Sequence, residues 1–176
     1  MIGYTAPKRH YHVRVGNWVC ERRGIFRLSA QPLPSRPDLV MWWLWSRNRQ
    51  DQPQGVYSHQ TALSLHELTD VMPSQLHMTV PRTFRRSTTI PKVLVLHLSD
   101  LPSFDIEHVD GVPVTKALRT LIDVAVSGEA PLPDLQMAFA GATLSGKITR
   151  AEVAAAKAHG AQRDVLRLLQ GKRGKA

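Results

Sequence analysis

The fold is decided around residues 55–68, GVYSHQTALSLHEL, where a short extended segment leads into an amphipathic helix. The β-branched Val56 and the aromatic Tyr57 favour an extended backbone. Ser58 stands where a helix N-cap is expected, and a helix is predicted over residues 61–68. The apolar residues of that helix share one face: Ala62, Leu63, Leu65 and Leu68. The stretch therefore predicts a strand followed by a helix that packs on a sheet.

The polar residues of this stretch do not form a catalytic pattern. A nucleophilic serine at a strand-to-helix turn needs flanking glycines, whereas Ser58 lies between Tyr57 and His59. His59 and His66 are seven positions apart rather than four, so they do not match the paired histidines of a zinc protease helix. We expect a capping serine and hydrogen-bonding histidines. One cysteine, Cys20, and scattered histidines complete the inventory, so no catalytic residue, metal site or cofactor is predicted.

Elements downstream of this stretch predict an α+β chain. Strands are expected over residues 75–81 and 92–99, and a hairpin is expected to turn at residues 110–111, Asp-Gly. Thr115 is expected to cap a helix that ends at Val126. That helix buries the face formed by Leu118, Leu121, Ile122 and Ala125. Further helices are predicted over residues 132–143, 149–159 and 161–170. Together these elements predict an α/β domain with a small mixed sheet and C-terminal helices.

The N-terminal residues 11–28, YHVRVGNWVCERRGIFRL, alternate apolar and polar side chains. The alternation predicts short strands at Val13 and Val15, at Trp18 and Cys20, and at Ile25 and Phe26. Turns are expected at residues 16–17 and 23–24. The outward positions carry Arg14, Arg22, Arg23 and Arg27. A basic hairpin of this kind forms the wing of winged-helix proteins, where arginines contact phosphates or the minor groove. An ordinary edge hairpin kept soluble by arginines is the alternative.

A proline-rich connector, residues 30–37, leads from the hairpin to a second helix. Ser35 is expected to cap this helix, with Pro37 in its first turn. Its apolar side chains are expected to enter the core: Leu39, Trp42, Trp43 and either Leu44 or Trp45. Tryptophans at helical spacing are more often core residues than platforms for base stacking, so a packing role is predicted.

The net charge of +9 is unevenly distributed along the chain. Residues 1–36 carry seven Lys or Arg and one acid, and residues 81–92 carry four bases and no acid. Residues 98–134 instead carry seven acids and two bases. Clustered bases beside an acidic segment indicate a face that binds a polyanion. In the central loop, this face is expected to include Arg82, Arg85 and Arg86. A basic composition without functional meaning is the alternative.

Localisation and domain organisation follow from the same composition. The longest apolar run, VMWWLW at residues 40–45, is far shorter than the roughly 20 residues that span a bilayer. The first residues lack the apolar centre of a secretion signal, and one cysteine suits a reducing compartment. We expect a cytoplasmic protein without membrane contact. Residues 1–34 are expected to form the basic hairpin region, and residues 35–176 the α/β domain.

Several motifs resemble those of the AbiEi-type antitoxins, transcriptional regulators of type IV toxin–antitoxin systems. They are RRGIFRL, DLVMWWLWS, GVYSHQTALSLHEL, MPSQLHMTVP and DGVPVTKALRTLIDVA, which occur in this order between about residues 10 and 145. The resemblance implies a winged-helix domain followed by an α/β domain. It also implies a repressor that binds promoter repeats in double-stranded DNA and counters a nucleotidyltransferase-like toxin without a stable complex. We expect a monomer that is not an enzyme.

The chain departs from the pattern of that family at its beginning. Only about a dozen residues precede Val13, too few for a helix-turn-helix, so either a natural short form or a late start is expected. Phosphate contacts by the arginines remain expected, with antitoxin activity carried by the helices after Thr115. One alternative function is an interaction module for an acidic partner protein. Another is a Mg²⁺-dependent nuclease using Asp105 and Glu107, although no lysine follows Glu107 two positions on.

Overall fold

The computed structural model of the chain describes residues 6–86, 89–158 and 160–171. It divides into two compact units. Unit 1 comprises residues 1–54 and 110–112, and unit 2 comprises residues 55–109 and 113–176. Helices and strands are mixed in the described residues, as expected for an α+β chain. No helix in these ranges is both long and apolar enough to cross a membrane.

Unit 1 contains two helices and a two-stranded sheet. Helix α1 spans Ala6–Arg14, strand β1 Trp18–Arg22, strand β2 Ile25–Leu28 and helix α2 Pro37–Trp45. The two strands are antiparallel, with Trp18 opposite Leu28 and Cys20 opposite Phe26. Gly24 turns the hairpin with a φ of +82°, which glycine adopts without strain. We call β1, β2 and their turn the basic hairpin.

The expected strand at Val13 and Val15 is wrong, because Val13 lies in α1. The amide of Val15 still donates to the carbonyl of Tyr11 at 3.0 Å, so helical hydrogen bonding continues past Arg14. An alternation of only three residues is too short to specify a strand. The helix is held instead by its packing on the basic hairpin, since the His12 ring stacks on Trp18 with centroids 4.7 Å apart.

Helix α2 is part of unit 1 and packs on the basic hairpin. Leu39, Trp42 and Trp45 are buried, as predicted, and the two tryptophan rings meet edge to face. Trp43 is only half-buried, so its predicted place in the core is wrong. The Arg22 guanidinium covers Trp42 at 3.9 Å from the ring centroid. Past the end of α2, Arg47 Nη2 donates to the carbonyl of Gly24 at 2.9 Å. These contacts explain why residues 35–54 cluster with the hairpin rather than with the α/β part of the chain.

The expected cap of α2 is wrong. The N-cap residue is Arg36 rather than Ser35, and no side chain accepts a bond from the first turn. Pro37 at the first helical position sets φ and removes one unsatisfied N–H, so the helix begins without a capping hydroxyl.

A mixed sheet with the strand order β5-β4-β3-β7-β6 belongs to unit 2, except for Val112 at the start of β7. Its strands are β3 Val56–Tyr57, β4 Leu76–Val80, β5 Leu94–Leu98, β6 Ile106–Val109 and β7 Val112–Thr115. Strand β3 runs antiparallel to β4 and parallel to β7, and β4 runs parallel to β5. The predicted strands and the turn between β6 and β7 are confirmed. Gly55 precedes β3 because a side chain there would collide with Met78.

Helices supply most of the core of unit 2. They are α3 His59–Leu65, α4 Ala117–Ser127, α5 Leu132–Leu144, α6 Arg150–Ala158 and α7 Gly160–Leu169, with a short 3-10 helix at Ser103–Asp105. The four C-terminal helices are close to their predicted bounds. One apolar cluster joins all five α-helices and includes Leu63, Leu121, Phe139, Ala156 and Leu166. The N-cap of α4 is Lys116, whereas the predicted Thr115 hydroxyl is buried and bonds the Thr120 hydroxyl at 2.7 Å.

Candidate functional site

Three histidines of the described residues come together in unit 2, although about twenty residues separate each from the next. His59 begins α3, His77 lies on β4 and His97 lies on β5. The Nδ1 atom of His77 is 3.1 Å from Nε2 of His97. The rings of His59 and His97 stack in parallel with centroids 3.5 Å apart. We call these three side chains the histidine cluster.

The sheet register places the histidine cluster on one face. In the parallel pair β4–β5, Thr79 is opposite His97 and His77 is opposite Val95. Side chains alternate between faces along a strand, so His77 and Thr79 share the face of His97, while Met78 is buried on the other face. Strand β3 ends at Tyr57, which pairs with Met78 of β4. Helix α3 begins two residues later, at His59.

Ser58 connects the start of α3 to this face. It occupies the N-cap position, but its hydroxyl makes no capping bond, which corrects the predicted role. Instead, its Oγ accepts a hydrogen bond from Thr79 Oγ1 at 2.8 Å and lies 3.0 Å from Nδ1 of His59. Ser58 and Thr79 are both buried, so this short chain of hydroxyls fixes the orientation of the His59 ring.

The backbone of His59 is strained. Its φ of +50° lies in the left-handed region, which costs a residue with a side chain about 1–2 kcal/mol. Such conformations persist where the surrounding structure holds them in place, and they cluster at functional sites.

His66, by contrast, is a hydrogen-bonding histidine as predicted, since its Nε2 lies 2.7 Å from the carbonyl oxygen of Thr115.

A carboxylate from the loop between α4 and α5 completes the site. Gly128 ends α4 in the left-handed conformation, and Glu129 follows it. The carbonyl of Glu129 accepts a bond from Gln60 Nε2 at 2.9 Å, which ties this loop to α3. Its Oε2 lies 3.5 Å from Nδ1 of His77. One potential ligand atom each from His59, His97 and Glu129 lies within 4.8 Å of the other two.

The surroundings keep the cluster uncharged. Burial, together with the neighbouring His97, His77 and Arg119, lowers the pKa of His59 to about 3. Burial also lowers the pKa values of His77 and His97, although Glu129 opposes that effect. At neutral pH the imidazoles therefore keep lone pairs that can accept a proton or bind a metal ion.

An open cleft of about 550 Å³ exposes one side of the cluster. Its walls include His59, His97, Arg119 and Asp123. Arg119 binds both carboxylate oxygens of Asp123 at 2.9 and 3.0 Å, which confirms the predicted pair, and its Nη1 reaches Asp105 at 2.8 Å. Burial lowers the pKa of Arg119, but the two carboxylates outweigh that effect and raise it. Asp105, proposed as a nuclease ligand, is thus held by an arginine.

The predicted DNA-binding arginines of unit 1 lie on the basic hairpin, except for Arg14 at the end of α1. Arg14 and Arg23 are exposed and form no ion pair within the described residues. Arg22 lies over Trp42, and Arg27 pairs with Glu21 at 2.8 Å. Only Arg27 of this set is paired with an acid among the described residues, and Arg14 and Arg23 are the members that are exposed without a ring or an acid against them.

The predicted arginines of the central loop belong to unit 2. The backbone amide of Arg82 donates to Asp100, and Arg85 Nη1 donates to the carbonyls of Arg82 and Phe84. Arg86 is exposed. These contacts give Arg85 a loop-stabilising role that the sequence did not indicate.

In comparisons with known proteins, neither a family model nor a curated protein matches this chain. The site is therefore assigned from its geometry alone.

Proposed function

We propose that the chain is a DNA-binding regulator of the AbiEi antitoxin type, and that unit 1 contacts duplex DNA through α1 and the basic hairpin. The observation that carries this proposal is the direct succession of an exposed basic helix and a basic hairpin that pack on each other. In a winged-helix domain the recognition helix immediately precedes the wing. Helix α1 precedes the hairpin in the same order along the chain, which supports the proposal; the sequence had not predicted this helix.

The packing of α1 leaves its charged side chains available. His12 faces the hairpin, where its ring stacks on Trp18, and Trp18 in turn contacts Phe26. Lys8, Arg9 and Arg14 are exposed. Helix α1 has nine residues and is about 13 Å long. The major groove of B-DNA is about 12 Å wide, which admits the cross-section of an α-helix.

The charge of unit 1 supports contact with phosphates. Residues 1–54 carry nine Lys or Arg against three acids. Each of those acids, Glu21, Asp38 and Asp51, lies beside an arginine, so six bases remain in excess. Lysine and arginine contacts to phosphates release counterions and provide affinity without sequence preference, while base contacts set specificity.

Salt-dependent DNA binding tests this proposal. We expect the chain to bind the DNA upstream of its own gene, with log Kd depending linearly on the logarithm of the salt concentration. Each phosphate contact contributes about 0.9 to the slope, so Arg14→Ala with Arg23→Ala should lower it by about 1.8. Arg22 is avoided because its loss would also uncover Trp42. Fluorescence anisotropy over a salt series measures the slope.

A matched double variant in unit 2 controls for net charge. Arg150 and Lys157 on α6 are exposed, and replacing both by alanine removes the same charge. We expect this variant to keep the slope of the unaltered chain. Equal slopes for the two double variants, or no binding to DNA at low salt, would contradict the proposal.

The antitoxin activity is proposed to reside in unit 2. Truncation after Val114 would remove α4–α7 and with them most of the core, so loss of activity in that variant would not separate function from folding. The informative variant is again Arg14→Ala with Arg23→Ala. We expect it to neutralise a co-expressed nucleotidyltransferase-like toxin in a growth assay while its operator binding weakens. Loss of both activities together would place neutralisation in unit 1 instead.

A further inference from the structure

We propose that His59, His97 and Glu129 bind a divalent transition-metal ion of the zinc class, with His77 as a positioning residue. This inference is independent of the proposed DNA binding, because every residue involved belongs to unit 2.

The chemistry of the three side chains selects the ion. Two imidazole nitrogens and one carboxylate oxygen form a ligand set that Zn²⁺ accepts, with a fourth position left for water or another ligand. Mg²⁺ and Ca²⁺ prefer oxygen ligands throughout, so a site with two imidazoles disfavours them. Among the described residues, no other group of three or more His, Cys, Asp or Glu side chains brings ligand atoms this close.

The distances are compatible with a metal site after small side-chain rotations. The ligand atoms lie within 4.8 Å of one another, whereas two ligands of a tetrahedral Zn²⁺ are about 3.3 Å apart. His97 is half-buried and the Glu129 side chain is 25% exposed, so both can move by about this difference. The rings of His59 and His97 are stacked in parallel, whereas the lone pairs of two nitrogens that bind one ion must point toward the same position. The two rings must therefore tilt away from the parallel stack when the ion binds.

Hydrogen bonds outside the ligand set orient it. The Ser58 hydroxyl at Nδ1 of His59 can accept the Nδ1 proton, which leaves the lone pair on Nε2. Nδ1 of His77 lies 3.1 Å from His97 Nε2 and 3.5 Å from Glu129 Oε2. The Nδ1 proton of His77 can shift its hydrogen bond from His97 Nε2 to Glu129 Oε2. The His97 nitrogen is then free to bind the ion. Metal-ligating side chains are commonly fixed by partners of this kind.

The environment favours an ion with an accessible coordination position. Burial keeps the imidazoles neutral, which is the form that binds metal. His59 and His97 both line the open cleft, so solvent or a ligand can reach an ion held between them. His59 adopts a strained φ of +50° where its ring stacks on His97, and strained residues of this kind cluster at functional sites.

Metal titration of the full chain tests the site. The protein is prepared without a histidine tag, on a Cys20→Ser background that removes its one thiol, and is stripped with a chelator. We expect one equivalent of Zn²⁺ to bind with a micromolar or lower Kd in competition with a chromophoric chelator. His97→Ala and Glu129→Gln should each raise the Kd at least tenfold. His77→Ala should raise it by a smaller factor, because His77 positions the ligands.

His108→Ala is the matched control, since His108 is an exposed histidine on β6 of the same unit. Its Kd should equal that of the unaltered chain. Circular dichroism verifies that each variant is folded, and Glu129→Gln preserves the test if His97→Ala is unfolded. The proposal is overturned if the chain binds no Zn²⁺ at micromolar concentration, or if folded His97→Ala and Glu129→Gln bind as tightly as His108→Ala.

Discussion

Strands β1 and β7 are of similar length but bury their side chains in opposite ways. In β1, Trp18 is half-buried and the next four residues are exposed, so both faces of the strand meet solvent. In β7, all four residues are buried. Strand β1 belongs to the basic hairpin of unit 1, whereas β7 lies in the middle region of the unit 2 sheet, between β3 and β6.

This difference separates two ways of building a site. The hairpin exposes charged side chains on an element with little core of its own, which suits contacts with a charged partner that need no fixed side-chain geometry. Unit 2 positions its histidine cluster on two partly buried strands and on α3, whose Leu63 belongs to the apolar cluster of the helices. A metal site needs its ligands on well-supported elements, so that rotations of the side chains alone bring the ligand atoms together.

The largest effect is expected in the core of unit 2. Leu166 and Leu168 lie on the same helix, α7, but Leu166 is fully buried and Leu168 is 48% exposed. Leu166→Ala should lower the free energy of unfolding by about 2–5 kcal/mol, because it removes buried methyl groups and leaves a cavity. Leu168→Ala should change it by less than about 0.5 kcal/mol. Urea denaturation followed by circular dichroism measures both, and similar costs would contradict the assigned burial.

A smaller effect is expected on acidification. The pKa of His59 is held at about 3 by burial and by His97, His77 and Arg119, whereas an unfolded histidine titrates near 6.5. The unfolded chain therefore binds more protons between these values, and stability should fall as the pH decreases from about 6.5 toward 3. The lowered pKa values of His77 and His97 add to this loss.

Replacing His59 by asparagine isolates its share of the acid sensitivity. Asparagine tolerates a positive φ, so the backbone of His59→Asn can stay in place. The slope of the unfolding free energy against pH should be smaller in this variant than in the unaltered chain, by up to about 1.4 kcal/mol per pH unit. His108→Asn is the control and should retain the slope. Identical slopes for the two variants would show that His59 titrates normally.

The smallest effect concerns helix capping. Thr149 and Glu152 form a reciprocal pair at the start of α6, in which the Glu152 amide donates to Thr149 Oγ1 and the Thr149 amide donates to Glu152 Oε2. Thr149→Ala should cost about 1 kcal/mol of stability. Arg36→Ala, at the start of α2 in unit 1, should cost less than about 0.5 kcal/mol because Arg36 makes no capping bond. Thermal unfolding monitored by circular dichroism compares them, and the reverse order would contradict the capping geometry.

Much of the fold downstream of residue 55 could be predicted because its signals are local. The apolar spacing of α4, the alternation in β4 and the Asp110-Gly111 turn each specify an element within a few residues. Helix α1 was missed because its stability comes from contact with the hairpin rather than from an apolar stripe of its own. The packing of His12 on Trp18 cannot be inferred from the spacing of the residues.

The histidine cluster was missed for a different reason. Its members lie on three elements, and only the parallel register of β4 with β5 brings His77 and His97 to one face. Sequence spacing does not specify register or strand order. One signal was present, since LHMTV and LVLHL each place a histidine inside an apolar strand. Polar residues within apolar strands need partners, but the sequence does not show that these two are partners of each other.

The left-handed φ of His59 has an evolutionary consequence. Glycine or asparagine would occupy position 59 with less backbone strain, so drift under selection for stability alone would favour those residues. Selection for a metal ligand would instead retain histidine and make its replacement depend on positions 97 and 129. Among descendants of this chain, joint loss of His59, His97 and Glu129 would mark lineages released from that selection.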